Sequence, residues 1–190
     1  MAAAQTVPAP TQPILIEIDP ESWQDQIDSV AHWLGNTQMA EAAYRQLTQD
    51  VVKKVTEPHV RYYLEDIAKR SLQHEATIEG LFHMIGRDPS RFRKLTGDLV
   101  AKGRELLAGV LGLTSGASAG AWTDLHQLLM ASMNSVGAVG VAHQLGLAIG
   151  HLELTEATLK LSNEKFMQHF LLQEIVLEMA PISILYKAKI

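Results

Sequence analysis

The chain contains no cysteine. Disulfides, thiolate metal ligands and cysteine nucleophiles are therefore excluded, and the absence suits a cytoplasmic location. Aromatic residues are scarce: four Phe, four Tyr and three Trp in 190 residues offer no platform for stacking bases. Positive charge is not in excess either. Sixteen Lys and Arg against 21 Asp and Glu leave a net charge of -5, which gives no electrostatic reason to expect nucleic acid. Period-two alternation is missing beyond residues 14–18, so no sheet is expected. There is no nucleophile elbow and no phosphate-binding glycine loop. The first residues lack the basic and apolar regions of a secretory leader. With Pro8, Pro10 and Pro13, residues 1–18 read as a flexible tail. Residues 19–190 read as one helical bundle with a sizeable core.

What the chain does have is a long stretch without charge. Leu128 to Gly150 carries no Asp, Glu, Lys or Arg and is apolar on every side. Such a helix is buried among other helices or sits in a membrane. Asn134, His143 and Gln144 and the lack of basic flanks favour the buried, non-membrane reading. Gly137, Gly140, Gly146 and Gly150 fall in the same stretch. Each costs a helix about 1 kcal/mol against Ala, so they predict close packing, and Gly140→Leu should overpack it. A groove for an apolar ligand, lined by Met130, Met133, Val139 and Leu147, is the alternative.

The other helices follow in order. Asp19-Pro20-Glu21 is a helix start. The apolar stripe changes phase at Gly35-Asn36, which predicts a break or kink there, with helices near 20–34 and 37–54 that are either separate or one continuous helix. Glu57-Pro58 opens the next helix. From Val60, through Ser71 and His74, to Ile85 the stripe advances in alternating steps of four and three, the pattern of a bundle seam. A weaker helix is expected over 95–111, the uncharged helix from Trp122, and a last helix from Leu154 to Met179 that ends before Pro181. The segment 182–190 should dock on the bundle.

Residues 37–180 resemble the ferritin-like family of the bacterial stress proteins YciE and YciF. The resemblance is carried by Met39-Ala40-Glu41, by Glu57-Pro58, by the run from Ile78 to Gly86 and by the run from Gly97 to Leu107. It implies an all-α, ferritin-like four-helix bundle with an extra connecting helix between the second and third long helices. Such bundles hold two metal ions on a Glu from each of two helices and a Glu-x-x-His pair from each of the others. Carried over, Glu41 stands for the first-helix acid. Glu164 stands in the last helix, with Gln168 nearby. On the second-helix seam the pair becomes Ser71 and His74. Met133 to Gly137, in the third helix, has no carboxylate. The implied metal ligands are Glu41, His74 and Glu164, too few to neutralise two divalent ions. No cofactor is expected, with iron or manganese as the alternative.

Blander readings stand beside these. Glu41 could be a solvated flank residue, so that Glu41→Ala would change stability by less than about 1 kcal/mol. Glu164-Lys165 reads as a surface charge pair, and Glu79 with His83 as an exposed hydrogen bond. His143 would be satisfied by Asn134 and Gln144. The functional expectation is a stress-associated, homodimeric bundle with a degenerate metal centre, acting by self-association or partner binding rather than catalysis. A di-iron or di-manganese oxidase or iron handler is the alternative, and an apolar-ligand carrier the third reading.

Overall fold

The computed structural model describes residues 18–90 and 121–190. The expected tail up to residue 17 and the connecting helix over 95–111 lie outside the described residues. These residues form four helices and no strand: α1 (Pro20–Val52), α2 (Pro58–Met84), α3 (Ala121–Ala148) and α4 (Leu152–Ile184).

Local chemistry sets the ends. Asp19 caps α1, its carboxylate accepting from the backbone N–H groups of Glu21 and Ser22, with Pro20 in the first turn. Pro58 likewise occupies the first turn of α2, although the Glu57 side chain before it makes no capping hydrogen bond. Gly150, at φ +66, reverses the chain between α3 and α4, and the ring of His151 then accepts from Leu154 N–H to cap α4. Of the two readings at Gly35-Asn36, the continuous helix is the one observed. Leu34, Gly35 and Thr37 are buried within one continuous helix, so the phase change reflects the stripe passing from one neighbour to the next. Pro181 does not stop α4 either. It removes one backbone donor, but its fixed φ is helical, and Leu185 N–H still bonds the Pro181 carbonyl at 3.0 Å. The tail returns to the core at Ile190, which is buried, and its carbonyl accepts from Thr56 N–H at 2.9 Å.

Each helix packs on two others, giving a ring in the order α1, α2, α4, α3. Side-chain pairs fix the directions. Arg87 reaches Asp28 while His74 reaches Glu41, so α1 and α2 are antiparallel. His59 lies against Glu178 and His74 against Glu164, so α2 and α4 are antiparallel. Lys54 pairs with Asp124 and Trp33 with the Ala138 carbonyl, so α1 and α3 are antiparallel too. Helices α2 and α3 therefore run parallel across the diagonal, and a long crossover joins them.

Every helix buries a seam that advances in threes and fours, from Val30 to Val51, Val60 to Leu81, Leu125 to Gly146 and Leu154 to Met179. The seams make two apolar clusters. One holds Val51, Leu64, Leu125 and Leu172. The other, at the opposite end, holds Leu34, Phe82, Val139 and Leu154.

Helix α3, without charge from Leu128 onward, is buried on one side only. Met130, Met133, Val141 and Leu147 expose 40% or more of their surface, so the expectation of all-round burial is corrected. Among the described residues no helix is long and apolar enough to cross a membrane. Close packing is confined to Gly146, where a Cβ would stand 2.9 Å from Thr155 Oγ1. At Gly137 and Gly140 it would meet nothing within 4 Å. The overpacking expected of Gly140→Leu has no neighbour within 4 Å of the Cβ to act against.

Candidate functional site

Between the two apolar clusters the seams turn polar, all at one level. Helix α1 supplies Glu41, α2 supplies Ser71 and His74, α3 supplies Ser132 and Ser135, and α4 supplies Lys165, Gln168 and His169. All are buried. The seam spacing that buries Leu64 and Leu81 on α2 equally buries Ser71 and His74 between them. Likewise, the spacing that buries Leu161 and Leu172 carries Lys165 and Gln168 inward.

Glu41 is the hub. Lys165 Nζ lies 3.0 Å from its Oε1 and 2.7 Å from its Oε2. Ser135 Oγ donates to Oε2, and His74 Nδ1 is 3.3 Å from Oε1. On the other edge of the ring, His74 Nε2 is 3.2 Å from Glu164 Oε2. Lys165 Nζ also lies 4.1 Å from the centroid of the Tyr44 ring, a cation–π contact made out of water. One turn along, the hydroxyl of Ser132 and Nδ1 of His169 are 2.7 Å apart.

Burial alone would push the Glu41 carboxyl up. The His74 hydrogen bond, the Lys165 ammonium and the Ser135 hydroxyl together more than offset it and hold the pKa at about 2, against an ordinary 4.5. Burial lowers the Lys165 pKa, and Glu41 pulls it back. The pair is an ammonium and a carboxylate at neutral pH, because neutralising one would leave the other's charge alone in the core. Burial, then the Glu41 charge, pushes the Tyr44 phenol up. Burial lowers His169.

Three sequence-derived ligands, Glu41, His74 and Glu164, thus come together, though not around a point. His74 uses opposite ring nitrogens for the two carboxylates, which places them on opposite edges of the imidazole. Glu41 is 0% exposed, so the flank reading is corrected, and the small cost of Glu41→Ala loses its basis. The Glu164 side chain is 48% exposed and sits at the rim. Lys165, 1% exposed, is no surface partner of Glu164; it faces the core. His143 bonds the Thr155 carbonyl at 3.1 Å rather than Asn134 or Gln144. The residues missed in the sequence were Lys165, Ser135, Tyr44 and the Ser132–His169 pair. The signal for Lys165 was present: from Leu154 to Met179 the buried positions of α4 repeat the alternation seen in α2, and Lys165 lies on it while Glu164 does not.

Several groups of this layer are buried without a hydrogen-bond partner: the Ser71 and Tyr44 hydroxyls and both ends of the Gln168 amide. Each is an orphan polar atom in a core, which costs about 1–3 kcal/mol. A di-metal centre does not fit these donors. Both oxygens of Glu41 are taken by an ammonium and a hydroxyl, and a second cation beside Lys165 would be repelled. Among the described residues no group of three or more acidic or imidazole side chains is arranged to hold a metal.

Outside the core, a groove of about 560 Å³ runs between α1 and α3, lined by Trp33, Ala40, Met130, Met133, Gly137 and Val141. Of the residues expected to line a groove, Met130 and Met133 do so, Val139 is in the core and Leu147 is exposed elsewhere.

No curated protein and no solved structure matches the chain. The family described as "Domain of unknown function (DUF892)" matches residues 27–176. The match runs from the first seam to the last and takes in every residue of the polar layer. The chain belongs to the DUF892 family.

Proposed function

We propose that the protein is a ferritin-like, stress-associated bundle of the YciE and YciF kind. In this reading its di-metal centre has been replaced by an internal ion pair, and it acts by association rather than by redox catalysis. The long crossover between parallel α2 and α3 supports the ferritin-like reading, since those folds carry one such connection. The seam positions support it further. Where a metal-binding bundle places Glu, Glu-x-x-His, Glu and Glu-x-x-His, this chain has Glu41, Ser71-x-x-His74, Ser135 and Lys165-x-x-Gln168. Glu41 and His74 are the two donors that remain.

The observation that carries the reading is the Lys165 ammonium on both oxygens of Glu41. About four carboxylates would balance two divalent ions. One carboxylate is balanced by one ammonium, so the layer is neutral without metal. The orphan hydroxyl of Ser71 and amide of Gln168 then stand at former ligand positions. Metal analysis of protein purified with and without iron and manganese supplementation tests this. Well under one ion per chain is expected in both. About two ions per chain would place the protein with the oxidases and iron handlers.

A further inference from the structure

Helix α4 has a second apolar face, directed away from the core. Leu152, Leu159, Phe166, Phe170, Leu177 and Ile184 expose between 44% and 68% of their surface. At 3.6 residues per turn all six fall within an arc of about 40°. The first three are seven apart, as are the last three, with a step of four between Phe166 and Phe170. That is a stripe of one apolar residue per heptad along the outside of the bundle. At its centre the Phe166 and Phe170 rings stack with centroids 6.3 Å apart.

The stripe is also symmetric. Phe166 and Phe170 lie two positions either side of Gln168, Leu159 and Leu177 nine, and Leu152 and Ile184 sixteen. Turned about a twofold axis at that level, the stripe falls on itself. Leu152 meets the partner's Ile184, Leu159 the partner's Leu177, and Phe166 the partner's Phe170. A surface that is self-complementary under a twofold is what an isologous dimer requires. Aromatic side chains carry roughly 150–250 Å² each, and Leu, Ile and Met fall toward the lower end of that range. With Met167, 60% exposed on the flank, the stripe therefore presents on the order of 700 Å² of apolar surface. The largest apolar patch of a monomer is about 300–600 Å², and a stable interface takes about 800 Å² per partner.

We propose that the outer face of α4 binds a second copy of this chain as an antiparallel helix pair centred on Phe166 and Phe170. The proposal uses only the outside of the bundle, so it stands or falls independently of what the core holds.

The test uses the full chain. Sedimentation equilibrium should give a dimer at micromolar concentration. Phe170→Glu, on an exposed position that leaves the fold intact by circular dichroism, should weaken it by at least about 100-fold, since two charges would be buried opposite two rings. The direction is read by oxidative crosslinking, clean because the chain has no cysteine. A mixture of Leu159→Cys and Leu177→Cys proteins should form the mixed disulfide, and neither alone should form one. In the antiparallel pair the two copies of residue 159 are about 27 Å apart, far beyond disulfide reach. A monomer at about 100 μM, above the range of stable complexes, would overturn the proposal. So would a dimer indifferent to Phe170→Glu, or efficient crosslinking of Leu159→Cys with itself.

Discussion

The middle of the bundle and its two ends use the same seam for opposite purposes. At the ends, Leu34, Leu64, Phe82 and Leu172 fill the seam and are buried in apolar contact. In the middle, the same spacing on the same helices delivers Glu41, Ser71, His74, Ser135, Lys165 and Gln168. At the ends, burial removes apolar surface from water and each side chain adds its own stabilisation. In the middle, burial costs free energy unless every charge and hydrogen-bonding group has a partner, so stability there belongs to pairs. Periodicity places a residue in the core, and the residue type decides whether its burial stabilises the fold by itself.

The comparison is sharpest at Lys165. Removing it strands the Glu41 carboxylate, and Lys165→Ala should cost about 3–5 kcal/mol in urea unfolding. Leu64→Ala, in the apolar cluster, should cost a similar 2–5 kcal/mol through its cavity. Only the first loss should depend on pH, shrinking as acid protonates Glu41. Equal behaviour of the two variants in acid would erase the distinction.

Acid titration of the parent protein reads the same layer. The folded pKa of Glu41 lies below its unfolded value, so its contribution is complete above about pH 4.5 and is lost as the pH falls through about 2. The shift corresponds to about 3 kcal/mol. A stability profile flat across that window would show that Glu41 is not held as a carboxylate.

Smaller effects are expected where the layer is unsatisfied or the surface open. Ser71→Ala removes a buried hydroxyl that has no partner and should be neutral or stabilising by up to about 1 kcal/mol. A loss above that would mean the hydroxyl is engaged. Gly140→Leu should change the melting temperature little or raise it. A Cβ there meets nothing within 4 Å, and the change gains up to about 1 kcal/mol of helix propensity. A marked fall would restore the packed contact expected from the sequence.

Much of the fold was legible because seams are periodic. The α2 seam from Val60 onward is the one observed, and Asp19-Pro20 and Glu57-Pro58 mark real helix starts. Tertiary packing overrode local breakers: it chose the continuous helix at Gly35-Asn36, which the local pattern leaves open, and carried α4 past Pro181, where the sequence predicts a stop. Glu41 and His74 were legible as core positions. Residue chemistry points to Glu164 over Lys165, since a carboxylate suits a metal site and a lysine does not. Spacing alone would have placed Lys165 inside and Glu164 at the rim. The glycines of α3 read as packing sites, but Gly137 lines the groove between α1 and α3 and a Cβ at Gly140 meets nothing within 4 Å, and no local pattern encodes how closely two helices approach.

The central claim is that Lys165 and Glu41 act as one neutral unit in the place of a metal centre. A double-mutant cycle of Glu41→Gln and Lys165→Met tests it most directly. Each single variant should lose several kcal/mol by leaving a lone buried charge, and the double variant should recover at least about 2 kcal/mol relative to their sum. Additive losses would contradict the claim.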